Sequence, residues 1–353
     1  MIEKPKLTRE FIQSLPKAEL HCHLDGSMRV QTIIDLAKEQ GVKLPSMDAK
    51  KLKGHVSVID DSITLPKYIK MFDYTLSVLQ TPEALERTAY ELVEDVHKDG
   101  VIYLEVRYSP ILHTSKGMSE MQSVDAVLRG LKKGEKEFDV KSAVIVCGIR
   151  SISPESSYKL AELSVAYKNK GVVGFDLAGV EENFPAKDHK EAFYLIRNNN
   201  INTTIHAGED YGPESVHQAV HYCGANRIGH GVKLKQDGDL LNYVNDHRIP
   251  LECCLSSNLQ TGSVDKIENH PFKFYYDYGL RVTLNTDNTL VSNTTLTDEY
   301  MLAIKTFHLT MKDIKEIIIN SFKSTFIGHR ERTILIKEIA QKLDKYVDEK
   351  YFE

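Results

Sequence analysis

Two imidazoles flank one thiol in His21-Cys22-His23, and Leu24-Asp25-Gly26 follows at once. In a β-strand, residues i and i+2 project to the same side, so a strand through residues 18–24 would aim both rings at one point. Taken alone, such a pair is ordinary. Its weight comes from two further segments. Thr203-Thr204-Ile205-His206-Ala207-Gly208-Glu209 closes a β-branched run with a third histidine and sets a carboxylate three residues beyond it. Val282-Thr283-Leu284-Asn285-Thr286-Asp287 ends a comparable run in an aspartate. Three neutral nitrogens and one carboxylate oxygen, with a position left for water, make an open site for a divalent ion such as Zn²⁺. A closed structural zinc site would favour thiolates and leave water no place, so this donor set is of the catalytic kind.

Such ligands need elements to carry them. Eight short apolar or β-branched runs read as strands: residues 18–24, 101–109, 142–149, 171–179, 202–208, 227–231, 250–257 and 280–288. Helical periodicity occupies the intervals, for example 84–98, 124–138, 158–168 and 240–247. Eightfold alternation of strand and helix predicts an α/β fold, a (β/α)8 TIM barrel, as one domain over residues 1–353 with no Gly/Ser- or Pro-rich linker dividing it. The barrel makes its own test, because catalytic groups belong at the carboxyl ends of the strands. His21 and His23 end the first run, Gly179 the fourth, His206 the fifth, His230 the sixth and Asp287 the eighth.

Composition bounds the rest. With 353 residues, 41% hydrophobic and 27% charged, the chain is globular, and its formal charge of −5 without a basic run argues against nucleic-acid binding. Five cysteines without paired spacing do not form a disulfide framework, and no apolar run reaches membrane-spanning length. A reducing cytoplasm is the expected location. Nothing in the sequence speaks to oligomeric state.

The segments Leu20-His21-Cys22-His23-Leu24-Asp25-Gly26, Phe175-Asp176-Leu177-Ala178-Gly179, His206-Ala207-Gly208-Glu209, Gly229-His230-Gly231 and Asn285-Thr286-Asp287 resemble those of the adenosine deaminase family, within the amidohydrolase superfamily of barrels. Their order and separations match from residue 20 to residue 288. The resemblance implies one zinc per chain on His21, His23, His206 and Asp287. It also implies hydrolytic deamination of adenosine, extending to 2′-deoxyadenosine, by addition of zinc-activated water at purine C6. Glu209 is then the acid that protonates N1, and His230 orients or deprotonates the water. His23, Asp25, Gly179 and Asn288 contact substrate, with Asp25 accepting from the ribose 5′ hydroxyl and the Gly179 N–H reaching N3. Many relatives carry two aspartates where this chain has Asp287-Asn288; an asparagine amide can still donate to N7. The fourth strand end lacks the bridging lysine of two-metal members, which favours a single ion.

Residues 28–100 exceed one crossover helix and read as extra helices forming a lid, with Leu65, Ile69 and Phe72 on one apolar stripe. Further amphipathic helices are expected from 311 to 351. No role falls to His55, His97, His113, His189, His217, His221, His247, His270, His308 or His329. Two competing functions remain at this level: an adenine or other purine deaminase on the same barrel, and a catalytically inert purine-binding protein. Asp25 separates the first, since a free base has no hydroxyl to meet it, and the complete ligand set speaks against the second.

Overall fold

The computed structural model describes residues 5–59, 63–347 and 351. Its eight strands are β1 (Lys17–His23), β2 (Val101–Tyr108), β3 (Lys141–Ile149), β4 (Val172–Ala178), β5 (Asn202–Ala207), β6 (Arg227–His230), β7 (Leu251–Cys253) and β8 (Val282–Leu284). They pair in parallel in the order β1 to β8, each with its sequence neighbour. Closure of the last on the first runs through Asp287: its N–H donates to His21 O at 2.8 Å, and His23 N–H donates to Asp287 O at 2.8 Å. This is the expected (β/α)8 barrel. Its strands are almost wholly buried on both faces, as strands jacketed by helices must be, and their polar residues, such as Glu19 and His21 on β1 or Glu105 and Arg107 on β2, alternate with apolar ones.

The outer helices dock through apolar stripes. Thr81 caps the helix Pro82–Lys98 by accepting from Ala84 N–H, proline fills its first turn, and Leu85, Ala89, Leu92 and Val96 are buried. The helix Glu120–Glu137 packs against it where Gly130 leaves room; a Cβ there would stand 2.2 Å from Glu86 O. A contiguous core cluster runs from Ile12 to Leu343. The expected carboxyl-terminal helices are Met311–Ser324 and His329–Asp344.

Two strands are shorter than the sequence suggested. Of residues 250–257 only Leu251–Cys253 is strand, and a helix, Leu255–Gln260, begins at once. Of residues 280–288 only Val282–Leu284 is strand, the rest bending over the barrel mouth. Apolar character alone cannot tell a strand from the first turn of a buried helix. The lid stripe is also divided: Leu65–Lys70 and Phe72–Val78 are separate helices that meet at Met71. All five cysteines are free and buried. Among the described residues, no helix is long and apolar enough to cross a membrane.

Candidate active site

The carboxyl ends of β1 and β5 and the turn after β8 bring His21, His23, His206 and Asp287 together, one ligand atom from each lying within 4.8 Å of all the others. Alternation on β1 puts both imidazoles on the barrel side, as the i, i+2 spacing requires. Asp287 sits at φ 60°, and His230, at the end of β6, at φ 65°. Both are left-handed conformations that a non-glycine residue holds only when its surroundings enforce them, and such strain gathers at functional sites.

Two of the three rings have one nitrogen committed to a buried carboxylate. His21 Nδ1 donates to Glu252 Oε2 at 2.8 Å, and His206 Nδ1 lies 3.0 Å from Asp176 Oδ2. Those bonds leave Nε2 of both rings as free lone pairs aimed at one spot. His21 Nε2 is buried and has no hydrogen-bond partner. Asp287 Oδ1 stands 3.4 Å from both His21 Nε2 and His23 Nε2, while its Oδ2 accepts from Ser257 Oγ at 2.6 Å. His23 Nε2 and His206 Nε2 approach to 3.1 Å. A buried orphan nitrogen, two nitrogens at close range and a carboxylate beside them fit a divalent cation, which would satisfy all four at once.

Below this set the barrel holds buried charge. Arg107 on β2 donates to Asp176 at 2.9 Å and to Glu252 at 2.8 Å, and Arg227 on β6 pairs with Glu252 and Glu105. Burial alone would raise the Asp176 carboxyl, but His206 and Arg107 hold it well below the usual range; burial would likewise raise Glu252, which Arg107 and Arg227 keep ionised. Both carboxylates therefore remain acceptors, Asp176 for His206 and Glu252 for His21.

Above the ligands opens a cavity of about 330 Å³, lined among others by His23, Asp25, Gly179, His206, Glu209, His230, Asp287 and Asn288. Every residue expected from the sequence thus faces one space, except His21, which is fully buried behind it. Burial, then the charges of Asp287, Glu181 and Asp210, push the Glu209 carboxyl well above its ordinary range, which favours its protonated form. His230 Nε2 lies 3.6 Å from Glu209 Oε2. Asp25 is buried and pushed up to about 7, and its Oδ1 has no partner. Gly179 has φ 105°, a conformation suited to glycine that lets backbone line the cavity directly.

Asn288 Nδ2 donates to the Tyr68 hydroxyl at 2.9 Å, and Tyr68 OH in turn meets Ser292 Oγ at 2.6 Å. One amide hydrogen is therefore spent on the lid helix Leu65–Lys70, leaving the other for a ligand. Leu65, Ile69 and Phe72 do line the cavity together, as their spacing predicted.

Several residues in the site were given no role from the sequence. Asp176 and Glu252 carry a signal after all, a charge in the middle of an apolar strand. Glu181 accepts from both Gly208 N–H, at 2.9 Å, and Glu209 N–H, at 2.7 Å, and so fixes the backbone that presents Glu209. Ser257, the last residue of the run read as strand, and Asn258, just beyond it, both lie on the helix Leu255–Gln260. Nothing local marks Tyr68.

A model of the adenosine deaminase family matches residues 16–342. The chain is 46% identical over 328 residues to a probable adenosine deaminase of Dictyostelium discoideum, covering 93% of this chain and 42% of that protein. It is 42% identical over 351 residues to an adenosine deaminase of Mycobacterium ulcerans, covering 95% and 96% of the two. Among solved structures, the N6-methyl-AMP deaminase of Arabidopsis thaliana aligns with a TM-score of 0.84 at 28% identity, over 95% of this chain and 98% of that one.

Proposed function

The chain belongs to the adenosine deaminase family, and from that premise we propose that it converts adenosine and 2′-deoxyadenosine to the matching inosine and ammonia, with one zinc ion per chain. The observation that carries this reading is the meeting, at one cavity, of a four-residue cluster able to hold a metal and a buried carboxyl pushed toward its protonated form. His21, His23, His206 and Asp287 hold the zinc. When bound there, it supplies water acidified to a pKa of about 7, a nucleophile available at neutral pH.

The protein's own groups do the rest. A neutral purine resists addition at C6 unless N1 takes a proton as the tetrahedral centre forms, and Glu209 gives that proton. Water contributes its oxygen to C6, one proton to the departing amine and one to reload Glu209; the bond from C6 to the exocyclic nitrogen breaks, and ammonia leaves. His230 stands beside the reacting oxygen, and Glu181 holds the Glu209 backbone in place. Asp25 accepts from the 5′ hydroxyl, which favours a nucleoside over a nucleotide because a phosphate would meet a buried carboxyl. The Gly179 N–H serves N3, the free amide hydrogen of Asn288 serves N7, and His23 borders the purine. The lid helices keep bulk water off the intermediate. Five buried free thiols suit a reducing cytoplasm.

Steady-state rates on adenosine, 2′-deoxyadenosine, adenine, AMP and N6-methyl-AMP, with metal analysis of the same preparation, test the reading. Adenosine should be turned over with the highest kcat/KM by protein holding about one zinc. A preference for either nucleotide, or full turnover without metal, overturns it.

A further inference from the structure

His230 ends a hydrogen-bonded chain whose direction is fixed from its far end. The Phe272 backbone N–H, which can only donate, points at His270 Nδ1 at 3.0 Å. His270 Nδ1 must therefore be the acceptor nitrogen of its ring, and burial holds this imidazole neutral, pushing it down to about 3. Its one proton then sits on Nε2, 3.1 Å from Asn258 Oδ1. With the carbonyl oxygen of Asn258 committed to His270, its Nδ2 faces the other way and lies 3.0 Å from His230 Nδ1. An amide nitrogen only donates, so His230 Nδ1 only accepts. All three side chains are buried.

We propose that Asn258 and His270 are positioning residues that lock His230 in the tautomer carrying its proton on Nε2, so that this histidine meets the cavity as a hydrogen-bond donor. An Nε2 that already bears a proton cannot take another from water while the ring stays neutral. His230 consequently holds and stabilises the oxygen that develops charge at C6, in the manner of an oxyanion donor, and does not deprotonate the nucleophile. The catalytic consequence rests on the deaminase reading above; the tautomer does not.

The test uses intact, metal-loaded protein labelled with ¹⁵N-histidine, with His230 assigned by the signals lost in His230→Gln and His270 by those lost in His270→Gln. The expected spectrum gives both rings a pyridine-like Nδ1 and a pyrrole-like Nε2. A pyrrole-like Nδ1 on His230 overturns the proposal whatever the enzyme's substrate proves to be. In Asn258→Leu, which keeps bulk and removes both links, His230 should populate both tautomers, with kcat lower by about 10²-fold and KM and zinc content close to wild type. A lowered kcat with the tautomer unchanged would mean that Asn258 merely packs, and also overturns it. Should that variant fail to fold, the wild-type spectrum alone decides.

Discussion

On the strand side of the cavity, His21, His206 and Asp287 each carry a second, buried hydrogen-bond partner, in Glu252, Asp176 and Ser257. On the helix side, Leu65, Ile69 and Phe72 present apolar surface from two short helices, and Ile69 remains 38% exposed. The strand wall is over-determined: moving one group leaves a buried charge or donor unpaired. Apart from the Tyr68 hydroxyl, the lid wall meets the cavity through non-directional contacts, which tolerate displacement. The difference separates labour, with bond-making placed where geometry is enforced and water exclusion placed where it can yield. Tyr68 is the point at which the two walls touch, through Asn288.

Stripping the metal is the harshest way to break the strand wall. Chelation, or Asp287→Ala, should abolish turnover, and adding zinc back to chelated wild type should restore it; activity that survives with zinc absent by elemental analysis would show that the four ligands serve only the fold. Glu209→Gln should lower kcat by at least about 10²-fold with zinc still bound, because glutamine has no proton to give N1. Asp176→Asn keeps the shape but weakens the carboxylate that orients His206, so zinc affinity in a competition titration should fall by about 10–100-fold. A smaller loss would place the enforcement in Arg107 and Glu252 instead.

Asn288→Ala reaches the junction of the walls and should cost about 1–3 kcal/mol in kcat/KM toward adenosine. 7-Deazaadenosine, with carbon in place of N7, is the control: wild type should handle it poorly and the variant hardly worse. Equal losses on both substrates would assign Asn288 to supporting Asp287. The lid should respond least. Ile69→Ala removes part of a side chain that is already partly exposed, so no more than about 1 kcal/mol should be lost, appearing in KM with kcat unchanged. A fall in kcat there would make the lid part of the enforced geometry and erase the contrast.

The convergence of the four clustered residues was legible because a strand's period of two and the barrel's habit of placing chemistry at strand ends are both written in local sequence. His21, His23, His206 and Asp287 each end a readable run. Asp176 and Glu252 lay within such runs, yet their meaning depends on partners from other strands that no local pattern reveals. Asn258 and His270 were hidden more deeply. Asn258 follows the run 250–257, which looks like strand because both a strand and a buried helix start are apolar, and His270 sits in an unremarkable loop whose partner is set only by tertiary packing. The lid stripe was legible as a stripe; the break at Met71 and the contact of Tyr68 with Asn288 were not.

Closure of the barrel through Asp287 bears on how the molecule is made. A chain growing from its amino end holds His21, His23 and His206 well before it holds Asp287, and until then β1 keeps one edge open to pairing with other chains. The contacts that seal this edge join residues as far apart as Glu19 and Thr286, 267 positions along the chain, and contacts of such separation form slowly. The residue that shuts the seam also delivers the fourth ligand, so an ion in the site ties the last strand to the first. On the one-zinc proposal, refolding of metal-free chain should accordingly recover more closed barrel with zinc supplied than with zinc withheld, a consequence separate from turnover.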